Sequence, residues 1–198
     1  MAAALTPVTA SSASDAAVIE ASLRDPDAFA VLYDRYAPAL YRYAYRRLGP
    51  DTAEDVVAGA FAAAFAGRHR YDIAHQDARP WLFGILSKEI AGHRRREDAR
   101  YRALARVPVT DTDESLADRV SATVTAGAAR ARLAGALAQL STGDRSVLLL
   151  VAWGDLTYDQ VAQALSIPVG TVRSRLNRAR RKVRAALGGT DPTTDVED

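Results

Sequence analysis

The chain is 198 residues long, 48% hydrophobic and 25% charged, with a formal net charge of +2, enough apolar content for the cores of one ordinary domain or two small ones. No apolar run approaches the roughly 18 residues that a membrane-spanning helix needs, and the N-terminus lacks the basic-then-apolar order of a secretory signal, so a soluble cytoplasmic protein without membrane insertion is expected. The absence of cysteine excludes disulfides, thiolate zinc sites and cysteine nucleophiles, and His69, His75 and His93 show no metal-ligand spacing, so neither metal nor cofactor is expected.

Residues 1–24, rich in Ala, Ser and Thr without a sustained period, read as a disordered leader. From Asp27 onward Phe29, Leu32, Tyr33, Tyr36, Leu40, Tyr43, Ala44 and Leu48 recur at steps of three and four, which predicts a helix bent near Pro38. Asp51 and Glu54 have the spacing of a capping box, opening a second helix that carries Val57, Ala60, Phe61, Ala64 and Phe65 on one face and ends at Gly67. A polar loop over 68–79 precedes Pro80, which suits the first turn of a third helix with a basic end. Residues 105–128, with Pro108, Gly127 and the acidic run "DTDESLAD", read as a linker between an N-terminal domain at 25–104 and a C-terminal domain at 129–187. Residues 188–198 form an acidic tail. No alternating strand pattern occurs, so the expected fold is all-α.

The C-terminal domain carries helical patterns over 129–140, 143–153, 158–165 and 169–187. Thr157 suits the N-cap of the third of these, and "SIP" makes a tight break before the fourth, the spacing of a helix-turn-helix. From Tyr158 to Leu187 there are seven Arg or Lys and one acid, Asp159. Within the last helix Val172, Leu176, Ala179 and Val183 make a packing side. Arg173, Ser174, Asn177 and Arg178 share an outer face suited to base edges in a major groove. Arg175, Arg180, Arg181, Lys182 and Arg184 flank it where phosphates run, and Thr171 near the helix start suits another phosphate.

The stretch from "LAQLSTGDRSVLLL" to "GTVRSRLNRARRKV" resembles the minus-35 reading domain of bacterial RNA polymerase sigma factors of the extracytoplasmic function (ECF) group. Leu140, Arg145, Val147, Leu148, Tyr158, Val161, Ala162, Gly170, Thr171, Val172, Ser174, Arg175, Leu176, Arg178, Ala179 and Arg180 stand where that pattern has them. Ser141 replaces its usual proline and Gln160 its usual glutamate. "AFAVLYDRYAPALYRYAYRRLG", "AEDVV" and "PWLFGILSKEIAGHRRR" are similar to the family's other domain, so the resemblance spans residues 24 to 187.

The resemblance implies a transcription initiation factor, not an enzyme and without a small-molecule substrate, that binds core RNA polymerase and opens a promoter with minus-10 and minus-35 elements. It places core contacts at Asp55, Val56 and Gly59, although Ala58 and Gly59 replace the usual glutamine and acid. It places minus-10 recognition at Arg68, His69, Arg70 and Tyr71 of the loop, at Trp81, whose other reading is a core residue of the third helix, at Ser87 and Lys88 where an Arg-Asn pair is usual, and at His93, Arg94 and Arg95. An anti-sigma partner is expected, as is passage of the acidic linker through a polymerase channel. The rival reading is a free-standing helix-turn-helix regulator of the response-regulator output type, but the N-terminal half lacks the βα alternation of a receiver domain.

Overall fold

The computed structural model describes residues 13–104 and 124–188, and among these it contains eight α-helices and no strand. Compact packing divides the chain into two units, residues 1–95 with 163–166 in one and 96–162 with 167–198 in the other. Among the described residues no helix is long and apolar enough to cross a membrane.

The first unit begins earlier than its sequence pattern suggests. Asp15–Ser22 is a helix, α1, so the leader expected to run to residue 24 is helical over its last third. Its N-cap is Ser14, whose Oγ accepts from the amide of Ala17 at 3.3 Å, and it buries Ala16, Val18 and Ile19. Eight residues of alanine and serine background are too short to show a period; the helix is held by what it packs against. Pro26–Phe29 forms a 3-10 turn leading into α2, Ala30–Leu48, which runs on through Pro38 with Leu32, Leu40, Tyr43 and Ala44 buried.

The break to α3, Pro50–Gly67, is set by Gly49 at φ +83°, a conformation that glycine adopts without the Cβ penalty, followed by Pro50 in the first turn. The capping box expected from Asp51 and Glu54 is absent: no side chain caps this helix, and Asp51 is left to complement the helix dipole. Gly67 ends the helix as expected, though not in a left-handed conformation. It has φ −89° and leads into a second 3-10 turn at Arg68–Arg70.

Helix α4, Arg79–Leu104, starts with Pro80 in its first turn as expected. Its Leu82, Phe83, Leu86 and Ile90 are buried in the first unit, where Phe83 meets Tyr43 edge-on with ring centroids 5.4 Å apart. Each such side chain stabilises the unit by about 1.5–3 kcal/mol through removal from water.

After α4 come α5 (Val124–Ala138), α6 (Thr142–Ala152), α7 (Tyr158–Leu165) and α8 (Val169–Ala186), which make up the second unit except that residues 163–165 group with the first. Helix α5 takes in residues 124–128, expected to belong to the linker; the linker's acidic run and the tail from residue 189 lie outside the described residues. Both departures from the family pattern act as caps. Ser141 Oγ accepts from the amide of Asp144 at 3.2 Å. Thr157 and Gln160 form a reciprocal capping box at 3.0 and 3.3 Å. Val147, Leu150, Val161, Val172, Leu176 and Ala179 form the core, and Trp153 is half-buried.

Candidate nucleic-acid interface

The α7–α8 connection is the short break that the sequence predicts. Ser166 adopts φ +52°, the amide of Ile167 bonds back to Ala162 O at 3.0 Å, and Pro168 stands at the N-cap of α8. Burial of Val172, Leu176 and Ala179 at steps of four and three turns one side of α8 inward. Arg173, Ser174, Asn177, Arg178, Arg180 and Arg181 are then exposed. Two shallow concavities run along this face, one lined by Gly170, Arg173, Ser174, Asn177, Arg178 and Arg181, the other including Tyr158, Arg180 and Arg184. Seven cationic side chains on one helix make an anion-attracting stripe suited to a phosphate backbone.

Three residues of this set have local partners that modify their roles. The Ser174 hydroxyl donates to Thr171 O at 3.0 Å, which leaves its oxygen as an acceptor. Arg175 is half-buried, and its guanidinium lies over the first turn of α6; a Cβ added at Gly143 would stand 2.9 Å from Arg175 Nη1. Its place is therefore beside α6, not on the outer phosphate flank. Arg178 is fixed by Asp144 on α6: Nε and Nη2 donate to its two carboxylate oxygens at 3.0 Å each, with Nε also 3.3 Å from Oδ1. The Arg178 side chain is 48% exposed, that of Asp144 only 4%. These hydrogen bonds hold the Asp144 carboxyl below its ordinary value, outweighing the opposing effect of burial, with Ser141 assisting. One edge of the Arg178 fork is thus engaged, and Nη1 takes no part in the pair.

In the first unit the expected minus-10 residues fall into two groups. His69, Arg70, Lys88 and Arg95 are exposed, and Tyr71 and Trp81 are half-buried with ring centroids 4.9 Å apart at 60°. Two rings so tilted form an aromatic corner, and an unstacked base can rest against the face of either ring. Burial pushes the Tyr71 phenol well above its usual range, with Asp15, Asp77 and Asp72 adding to the effect, so it stays a proton donor, and it donates to His75 O at 2.7 Å.

The other group serves the fold. Arg68 stacks 3.7 Å from the Phe65 ring centroid and donates to Phe65 O at 2.6 Å and to Ser22 O at 3.3 Å. Arg94 donates to Arg47 O at the C-terminal end of α2, 3.1 Å away, and both it and His93 are half-buried. Ser87 is 8% exposed and lies against the phenol of Tyr43, so its expected place on a DNA surface is corrected to the core. Of the expected core-polymerase residues, Asp55 is exposed, Gly59 is half-buried, and Val56 is only 6% exposed; its side chain holds α3 in the unit and is not available to a partner.

Sequence reasoning missed two carboxylates. Asp144 meets Arg178 across 34 residues of sequence, and no local pattern announces it. Asp15, in the supposed leader, accepts from Arg35 Nη1 at 2.6 Å, Tyr36 Oη at 2.5 Å and the amide of Ala78 at 2.8 Å. Burial, then Asp15 and Asp77, push the Tyr36 phenol well above its usual range.

Comparison with known proteins gives two family-model matches in order along the chain: "Sigma-70 region 2" over residues 32–100 and "Sigma-70, region 4" over residues 130–183. The chain is 37% identical over 177 residues to the ECF RNA polymerase sigma factor SigL of Mycobacterium tuberculosis strain H37Rv, covering 88% of this chain and 94% of that protein. It is 29% identical over 171 residues to the ECF RNA polymerase sigma factor SigW of Bacillus subtilis strain 168, covering 82% and 90%. Among solved structures it is similar to CnrH in complex with the cytosolic domain of CnrY, at 27% identity and a TM-score of 0.60, over 89% of this chain and 99% of that one.

Proposed function

The chain belongs to the sigma-70 family of RNA polymerase sigma factors, in its extracytoplasmic function group, and from that premise we propose how its two units divide the work of starting transcription. As a sigma factor it binds core RNA polymerase, recognises a two-part promoter and promotes its melting. The observation that carries this reading is the presence on one chain, in family order, of a region 2 and a region 4 match. A free-standing regulator has no use for the first.

In the proposed division Arg173, Asn177 and Arg178 read base edges of the minus-35 element, with Ser174 as an acceptor. Arg180 and Arg181 grip phosphates, joined by Thr171. Arg175 acts through α6. The Tyr71–Trp81 surface and the 68–78 loop take up an extruded minus-10 base, with Arg70, Lys88 and Arg95 nearby for phosphates. Asp55 presents an exposed charge of α3 to core polymerase. The protein acts in the cytoplasm, catalyses no reaction of its own, and is restrained by an anti-sigma partner.

Run-off transcription with purified core polymerase on a panel of upstream genomic fragments tests the whole. Discrete transcripts that require this protein are the expected result. Tight binding of duplex DNA alone, with no start ever directed on core polymerase, would return the chain to the regulator reading.

A further inference from the structure

The short helix α1 lies outside the region 2 match, which begins at residue 32, yet it touches both ends of the loop that precedes α4. At the start of the loop Arg68 Nε donates to Ser22 O, the last residue of α1, at 3.3 Å. At its end the amide of Asp15 donates to Gln76 O at 3.2 Å, and the Asp15 carboxylate accepts from the amide of Ala78. Asp15 is 5% exposed, and its carboxylate also accepts from Arg35 and Tyr36 of α2. Tyr36 Oη also stands 3.2 Å from Asp77 Oδ1, which itself accepts from the amide of Arg79 and so caps α4.

Between these ties the loop is held by its own bonds. Tyr71 Oη reaches His75 O, the amide of Ala74 reaches Asp72 Oδ1 at 3.0 Å, and Gln76 Nε2 reaches Ile73 O at 3.0 Å. The tip is nonetheless presented to solvent: Ile73 is 55% exposed. A loop bonded within itself and clamped at both ends samples few conformations, so little ordering entropy is lost when a ligand binds it. A buried carboxylate with three donors is an expensive way to pack a helix that alanine and valine already pack, because charge must be taken out of water to build it. Its placement makes sense as a geometric constraint on residues 76–78.

We propose that Asp15 is a positioning residue for minus-10 recognition: through α1 it holds the 68–78 loop in the geometry that receives an extruded base. This rests on the reading of that loop as the minus-10 capture element.

The test uses the full chain assembled with core polymerase, transcribing a DNA library in which the minus-10 and minus-35 hexamers are randomised separately, with transcripts counted by sequencing. Asp15→Ala lowers the preference at the captured minus-10 position about tenfold, as expected for donors left without their carboxylate, and leaves minus-35 preference and core assembly as in the wild type. Tyr36→Phe, which keeps the ring and removes the hydroxyl link between Asp15 and Asp77, lowers it about fivefold. It decides the matter if Asp15→Ala does not fold. Undiminished minus-10 preference in Tyr36→Phe and in folded Asp15→Ala, in a background where Tyr71→Ala abolishes that preference, overturns the positioning role while leaving the loop as the reader. Equal losses at both hexamers also overturn it, by showing general destabilisation. Preference that survives Tyr71→Ala and Trp81→Ala overturns the loop reading itself, and the proposal with it.

Discussion

Replacing Asp144 with asparagine keeps the side chain's shape and removes its charge, and with the charge goes the constraint on Arg178. In the structure two donors of the guanidinium meet the carboxylate at 3.0 Å each, so the long side chain is already ordered before DNA arrives. Freed, it must be ordered by the DNA, and immobilising one such side chain reduces affinity about two- to twelvefold. That loss falls on the base edge Arg178 reads, so the ratio of affinities for a preferred and a substituted minus-35 site should fall by this factor. Non-specific binding moves the other way. A released guanidinium is a mobile cation beside the duplex, and each additional phosphate neutralised steepens the plot of log affinity against log salt by about 0.9. Fluorescence anisotropy of the full chain on matched duplexes, across a salt series, measures both quantities. If Asp144→Asn keeps the full preference and the wild-type slope, Asp144 does not pre-position Arg178, and their pairing is incidental to reading.

Arg181→Ala, on the exposed face and without a carboxylate partner among the described residues, should weaken binding to all duplexes alike and flatten the same slope by about 0.9; a loss confined to one sequence would make it a base reader. Gly59→Ala should raise stability by about 1 kcal/mol in a thermal melt, because a Cβ there meets only Glu89 Oε2 at an ordinary 3.7 Å while glycine weakens a helix interior; a lower melting temperature would show that α3 needs the smaller residue. Because the folded Asp144 carboxyl titrates below its ordinary 3.8, its contribution to stability is complete above that pH and is lost as the pH falls through the lower folded value. The stability gap between wild type and Asp144→Asn in urea unfolding should therefore be present at pH 7 and close under strong acid; a gap that persists would trace to shape, not charge.

Much of this protein is local in origin. The period of α8, with Val172, Leu176 and Ala179 inward and the arginines outward, follows from side-chain direction on a helix, and the break at Ser166–Pro168 is written in residues that suit a turn. The same holds for Pro80 at the start of α4 and for the Thr157–Gln160 box, where residues three apart satisfy each other's amides. Local rules fail where two signals compete. Asp51 and Glu54 look like a cap, but Gly49 and Pro50, just ahead of them, already determine where α3 begins.

The remaining determinants are non-local. Helix α1 is too short and too weakly patterned to be seen alone; it exists because Val18 and Ile19 find a core and Asp15 finds Arg35, Tyr36 and Ala78. Whether an arginine is a reader or a strut depends on what stands opposite it. Arg173 and Arg178 look equivalent on the helix, yet only Arg178 has Asp144 against it, and Arg68 and Arg94 in the other unit are tied to backbone carbonyls. Amino-acid order alone was enough for the family, the helices and the basic face, since each depends on neighbours within a few turns of chain. The division of that charge between DNA and the fold came only with tertiary structure, because the partners that decide it lie 34 to 47 residues away along the chain.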